Sequence, residues 1–138
     1  MLAGLNTNFK SDFSLGMAGE ESVLPKLRSY FKKDIRKSAG KYCKYDYIDE
    51  DGTLYELKTR RCMSSTYPTT MLPVHKVVDG AEQYFIFNFT DKIMYLKYDK
   101  NLFASFEVSG VVDGRYAYKR EAVSHFYIPL ASLSVLSS

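Results

Sequence analysis

The chain of 138 residues is short of several things, and each shortage narrows what it can be. No stretch approaches the ~18 consecutive apolar residues of a membrane-spanning helix. The first residues lack the charged-then-apolar order of a secretory leader, so a soluble, intracellular protein with no membrane partner is expected. Cysteine is scarce: Cys43 and Cys62 have no CxxC or Cys/His spacing, which argues against zinc. They are expected to be reduced thiols, and a disulfide would require them to be neighbours in space. The only histidines, His75 and His125, stand alone, and a lone histidine is more often structural than catalytic. Internal repeats and low-complexity tracts are absent. A net charge of +3 is too small to point to nucleic acid by itself.

What the chain does have is a charged hairpin signal. Residues 46–58 read DYIDEDGTLYELK: a short strand, an acidic glycine turn and a returning strand carrying Glu56-Leu57-Lys58. Alternation puts Glu56 and Lys58 on one face and Leu57 on the other. The turn decides what faces them. A three-residue loop of Glu50, Asp51 and left-handed Gly52 pairs Asp49 with Thr53, sets Asp46 across from Glu56, and sets Lys44 across from Lys58. A two-residue Asp51-Gly52 turn sets Asp46 opposite Leu57, on the wrong face, and sequence leaves both registers open. In the first register, hard oxygen ligands one strand apart suit Mg2+ or Mn2+, which keeps waters for a phosphate oxygen to displace. An ammonium beside such an ion orients a nucleophile or shields a leaving oxygen, which is hydrolytic phosphodiester chemistry. The competing reading is a solvated charged face on an exposed hairpin.

Upstream, Glu20, Val23, Leu24, Leu27 and Phe31 fall on one helical stripe. Glu20 thus heads an apolar face, where a carboxylate needs a metal, a lysine or water as partner. Glu21 fits worse, because its i+4 and i+7 positions are Pro25 and Arg28. A first-turn acid favoured by the helix dipole explains Glu20 equally well. Pro25 is also compatible with a helix that starts near Ser22 and leaves Glu20 in the preceding loop.

An acid on an N-terminal helix, an aspartate closing one strand and Glu-x-Lys on its antiparallel neighbour together resemble the PD-(D/E)XK nuclease superfamily, particularly its small junction-resolvase-like members. The resemblance covers Gly16 to about Arg60, with Tyr45 where the name-giving proline would stand. It implies that Glu20 is the helix acid, reaching the metal through water, and that Asp46 and Glu56 are metal ligands. It further implies that the Leu57 backbone carbonyl is a third ligand and Lys58 the catalytic lysine, with Mg2+ or Mn2+ as cofactor. The glutamine-then-tyrosine pair of the processive exonuclease branch does not follow, since Gln83 has Phe87 four residues on. The implied activity is a metal-dependent endonuclease acting on DNA, including branched or structured DNA. Two alternatives compete: an RNA endonuclease of the cap-snatching type, whose sites add a histidine, and a non-catalytic nucleic-acid-binding module.

Charge distribution says more than net charge. From Lys26 to Lys44 the chain is basic apart from Asp34, and the sign reverses through Asp46, Asp49, Glu50 and Asp51. Lys32, Lys33, Arg36, Lys37, Lys44, Arg60 and Arg61 are therefore candidate nucleic-acid contacts, set against the alternative of a solvated face. Residues 62–73, rich in Ser, Thr and Pro, read as a loop whose Tyr67 can stack on a base or simply cross the surface. Residues 84–89 and 93–98 form a hairpin around Thr90-Asp91-Lys92, and residues 103–112 and 116–128 another around Asp113-Gly114, with Pro129 ending the last strand. Val74 to Gln83 has room for one helical turn, interrupted at Gly80. Most of the 12 tyrosines are read as half-buried strand residues whose hydroxyls reach water. The expected architecture is α+β, a single restriction-endonuclease-like domain over residues 1–138. One main helix, Ala18 to Lys37, would pack on a mixed sheet of five to six strands around a single core. The small footprint makes a homodimer an expectation.

Overall fold

The computed structural model describes residues 22–38, 45–111 and 123–136, and its organisation follows from strands that are apolar on both faces. Tyr47, Tyr55, Leu57 and Ile86 gather on one side with Val23 and Leu27, while Phe85, Phe87, Met94 and Leu96 gather on the other with Leu72 and Ile128. A sheet buried on both faces needs cover on both. One cover is helix α1, helical over residues 22–31. The other is a second sheet.

The first sheet has six strands in the order β1-β2-β3-β5-β6-β9: β1 Arg36–Lys37, β2 Tyr47–Ile48, β3 Leu54–Thr59, β5 Gln83–Asn88, β6 Ile93–Lys97 and β9 Ser134–Val135. All its neighbours are antiparallel except β3 and β5, which run parallel from Leu54↔Gln83 to Thr59↔Asn88. A parallel pair requires a crossover, usually a helix. Here the crossover contains strand β4, Thr69–Pro73, which joins β8 (Val123–Pro129) and β7 (Glu107–Val111) in a three-stranded antiparallel sheet ordered β4-β8-β7. A five-residue helix α2, Lys100–Ala104, carries Phe103 into the core between the sheets. The result is three layers with two apolar clusters, α+β in class. No helix among the described residues is long and apolar enough to cross a membrane.

Several expectations need correction. The helix does not run to Lys37: Lys32 adopts φ 55°, a left-handed conformation that stops α1 after Phe31. The Arg28 side chain then donates to the Ile35 carbonyl at 2.7 Å, and residues 36–37 pair with β2 as a strand. Residues 69–73 are strand rather than loop, because Thr70 and Leu72 point inward while Met71 faces out. Phe103 lies in α2, whose start is capped by Asp99 accepting from the Asn101 and Leu102 N–H groups at 2.9 and 3.0 Å. Strand β7 therefore begins only at Glu107, and it pairs antiparallel with β8 from Glu107↔Tyr127 to Val111↔Val123. The Asp113-Gly114 turn lies outside the described residues. Pro129 ends β8, but β9 follows and pairs with β6. Val74–Lys76 supplies the expected short helical turn, as a 3-10 turn. A second sheet and a second cluster replace the single core. Some tyrosine hydroxyls bind protein groups rather than water: Tyr55 donates to Asp49 and the Tyr30 and Tyr95 hydroxyls meet at 2.8 Å.

Candidate active site

The hairpin turn sets the register on which everything else depends. Asp49 N–H donates to the Thr53 carbonyl and Gly52 N–H to the Asp49 carbonyl, both at 3.1 Å, closing the three-residue loop, and Gly52 sits at φ 85°. Gly52 is there because an L side chain is strained at that φ. The buried Asp49 carboxylate clasps this loop: Oδ1 accepts from Asp51 N–H at 2.9 Å and Thr53 N–H at 3.0 Å, while Oδ2 accepts from the Tyr55 hydroxyl at 2.8 Å. Burial, then the bond to Asp49, pushes the Tyr55 hydroxyl's pKa up, so it stays a donor. Tyr47 pairs with Tyr55 and Ile48 with Leu54. The two-residue alternative is thereby excluded, and Asp46 lies across from Glu56.

Asp46 N–H donates to the Tyr55 carbonyl at 3.0 Å, and the Asp46 carboxylate reaches over to accept the Leu57 N–H at 2.7 Å. Glu56 is 3% exposed, on the face of β3 that the second sheet covers. Lys58 Nζ stands 3.3 Å from its Oε2, and Lys76 Nζ stands 3.4 Å from the same oxygen. Burial, reinforced by the Asp46 charge, pushes the Glu56 carboxyl up, and the two ammoniums pull it back. Burial likewise pushes the Lys58 ammonium down, against the pull of Glu56. A buried carboxylate facing a second carboxylate needs positive charge. Lys58 and Lys76 supply it.

Sequence reasoning missed Lys76. It follows β4 in the crossover, and only the parallel pairing of β3 with β5 brings that segment back over Glu56. Gln83, 0% exposed, fixes it: its side-chain amide donates to the Lys76 carbonyl at 2.9 Å and accepts the Val78 N–H at 3.0 Å. No spacing rule links residues 56, 76 and 83.

The other candidates scatter. Glu20, Glu21 and Lys44 lie outside the described residues. Lys33 is paired with Asp51, and Arg36 with Asp34 at 2.8 Å, in exposed ion pairs at the hairpin end of the sheet. Lys32 is the left-handed residue ending α1, and Lys37 lies on β1 opposite Tyr47. Arg60 donates to Thr70 Oγ1 at 3.2 Å and to the Met71 carbonyl, with its guanidinium 5.9 Å from the Phe87 ring centroid, so it staples the two sheets. Arg61 is exposed. His75 is exposed, and His125 is buried with Nδ1 2.7 Å from the Val123 carbonyl. Cys62 is a half-buried free thiol.

A tighter group of acids exists at the turn, where Asp49, Glu50 and Asp51 offer oxygens within 4.8 Å of one another. Each already has a protein partner: Asp49 the turn, Glu50 the Asp34 N–H at 3.2 Å, and Asp51 the Lys33 ammonium. Asp46 and Glu56 are partnered as well, Asp46 by the Leu57 N–H and Glu56 by the Lys58 and Lys76 ammoniums. Compared with protein-family models, curated proteins and solved structures, the chain has no significant match.

Proposed function

We propose that the chain is a divalent-metal-dependent endonuclease that hydrolyses DNA phosphodiester bonds, on a fold of the restriction-endonuclease-like, PD-(D/E)XK kind. The observation that carries this reading is the meeting of Asp46, Glu56 and Lys58 on one face of the β2–β3 hairpin, in the register the chemistry needs. The mixed sheet with a helix on its opposite face supports the fold assignment. Asp46 and Glu56 would hold Mg2+ or Mn2+, with the Leu57 carbonyl as the expected third oxygen. Such an ion lowers the pKa of a bound water and offsets charge on the phosphorane. Lys58, 3.3 Å from Glu56, would orient the attacking water and shield the oxygen that leaves. The water oxygen forms a bond to phosphorus as the ester P–O bond breaks, and one water proton ends on the leaving oxygen. Lys76 gives the site a second ammonium for the phosphate. The alternative is an RNA endonuclease of the same chemistry, whose sites add a histidine ligand; the candidate for it is His75, exposed on the turn Val74–Lys76.

Nicking of plasmid DNA in Mg2+ or Mn2+ tests this. Asp46→Asn, Glu56→Gln and Lys58→Ala are expected to lower the rate by at least about a hundredfold. Glu50→Gln, at the turn, leaves it unchanged. Identical behaviour of all four variants would instead mark a non-catalytic nucleic-acid-binding module.

A further inference from the structure

The loop leaving β3 is firmly held yet exposes large apolar side chains. Ser64 donates its N–H and its hydroxyl to the two oxygens of Asp91, both at 2.7 Å; Thr90 N–H donates to the Cys62 carbonyl at 3.1 Å, and Leu130 N–H to the Pro68 carbonyl at 3.0 Å. A loop anchored at start, middle and end is not loose surface. It nevertheless leaves Met63 53% and Tyr67 62% exposed, which costs free energy in water unless something covers them. Between this loop and strands β4 and β8 lies a cleft of about 430 Å³, walled by Met63, Tyr67, Met71, Tyr127 and Leu130, with Arg60 on one side. Apolar and aromatic walls with a few hydroxyls, in a space of this size, are the makings of a site for a planar organic ring.

Its position says which ring. Arg60 continues the β3 ladder by donating to the Asn88 carbonyl at 2.9 Å, and it follows Lys58 by two residues, so both share one face. Two strand residues span roughly 6.6 Å, close to the spacing of successive nucleotides in an extended single strand. On the nuclease reading, a strand with its phosphate at Lys58 would bring a neighbouring base toward this cleft, which Arg60 lines.

We propose that the cleft binds an unpaired nucleobase next to the cleaved phosphate, with Tyr67 as its stacking face and Met63 and Met71 as the soft walls. The path of the strand rests on the nuclease reading, whereas the cleft rests on its own walls. The substrate class is then single-stranded or locally splayed nucleic acid, because a paired base within a duplex cannot enter. Stacking on an aromatic ring tolerates any base, so the cleft selects for unpairing rather than for sequence.

The test uses the full chain in chelator, where no cleavage occurs, with fluorescently labelled short oligothymidylate, the matching oligouridylate, and an abasic sugar–phosphate strand of equal length and charge. The wild type is expected to bind either base-bearing strand about tenfold more tightly than the abasic one. Tyr67→Ala should remove that difference and Tyr67→Phe should keep it; Tyr67 is exposed enough for both to fold. An iodouracil-substituted strand should photocrosslink within residues 60–71. Equal affinity of the wild type for all strands, equal weakening of every strand by Tyr67→Ala, no binding at all, or crosslinks only elsewhere would overturn the proposal. Cleavage in Mg2+ is read separately. Base-dependent binding without cleavage keeps the cleft and overturns the nuclease, while cleavage with base-independent binding does the reverse.

Discussion

Glu56 ties stability to the proposed function. A carboxylate this buried is tolerated because two ammoniums share its Oε2. Removing both, in Lys58→Met/Lys76→Met, leaves an uncompensated buried charge and should cost about 3–5 kcal/mol. Adding Glu56→Gln to that double variant should return most of the loss, since the charge that needed compensation is gone; urea unfolding of the three proteins measures it. The titration of Glu56 has a definite sign. Its folded pKa lies above the ordinary glutamate range, so the folded state holds this proton more tightly than the unfolded chain. The stability linked to it is complete below the ordinary range and declines as pH rises through the raised value. Lys58, pushed down, acts at the other end, adding stability as pH rises from its lowered value to the ordinary lysine range. A divalent ion needs Glu56 ionised, so Mn2+ affinity measured by calorimetry should climb with pH across the Glu56 window and release protons as it binds. A flat affinity profile would count against Glu56 as a ligand. At this scale the sequence was informative where alternation alone decides the geometry, as for Glu56, Leu57 and Lys58. It was silent on Lys76 and Gln83, whose positions come from chain crossing rather than from spacing.

Elements were legible when local chemistry dictated them and obscure when tertiary pairing did. The β2–β3 hairpin belongs to the first kind. Its glycine, its acids and its alternating tyrosines mark the hairpin but leave two registers open, and the Asp49 carboxylate that selects between them by clasping backbone N–H groups emerged only from the structure. Asp49→Ala removes the acceptor for Thr53 N–H and for the buried Tyr55 hydroxyl. It should destabilise by about 2–3 kcal/mol. If Asp46 and Glu56 hold the ion as proposed, it should also weaken Mn2+ binding, because the register that sets Asp46 across from Glu56 loses its clasp. Asp49→Asn, which keeps an acceptor oxygen, should be milder on both counts. Unfolding and calorimetric titration of the two variants separate this positioning role from a direct one. Strand β4 belongs to the second kind: prolines and hydroxyl residues disguise Thr69–Pro73, and only its antiparallel pairing with β8 makes it a strand. The end of α1 was hidden likewise, since a left-handed lysine carries no signal of its own.

For the whole molecule, the basic stretch that suggested nucleic acid is partly neutralised within the protein, with Lys33 on Asp51 and Arg36 on Asp34. Such exposed pairs contribute little to stability. They do reduce the free charge near the hairpin, so under the proposed nuclease reading more of the phosphate recognition would fall on the β3 side of the sheet. That side joins both cores. Strands β3, β5 and β6 form one sheet whose opposite faces belong to the two clusters, the α1 cluster with Leu27 and the inter-sheet cluster with Phe103. Neither cluster can come apart without baring a face of the same strands, so the layers should unfold together rather than as separate units. Leu27, fully buried, should cost about 2–5 kcal/mol on truncation to alanine, and Phe103, 1% exposed, about 3–5 kcal/mol. Each variant should still show a single urea transition, with backbone circular dichroism and tyrosine fluorescence moving together and with an unchanged slope. If Phe103→Ala instead splits the curve, with the second sheet melting first, then the sheet carrying Glu56 would stand without its cover. The pairing of Lys76 with Glu56 would be lost in the first step, and with it the tightly compensated charge on which the candidate site depends.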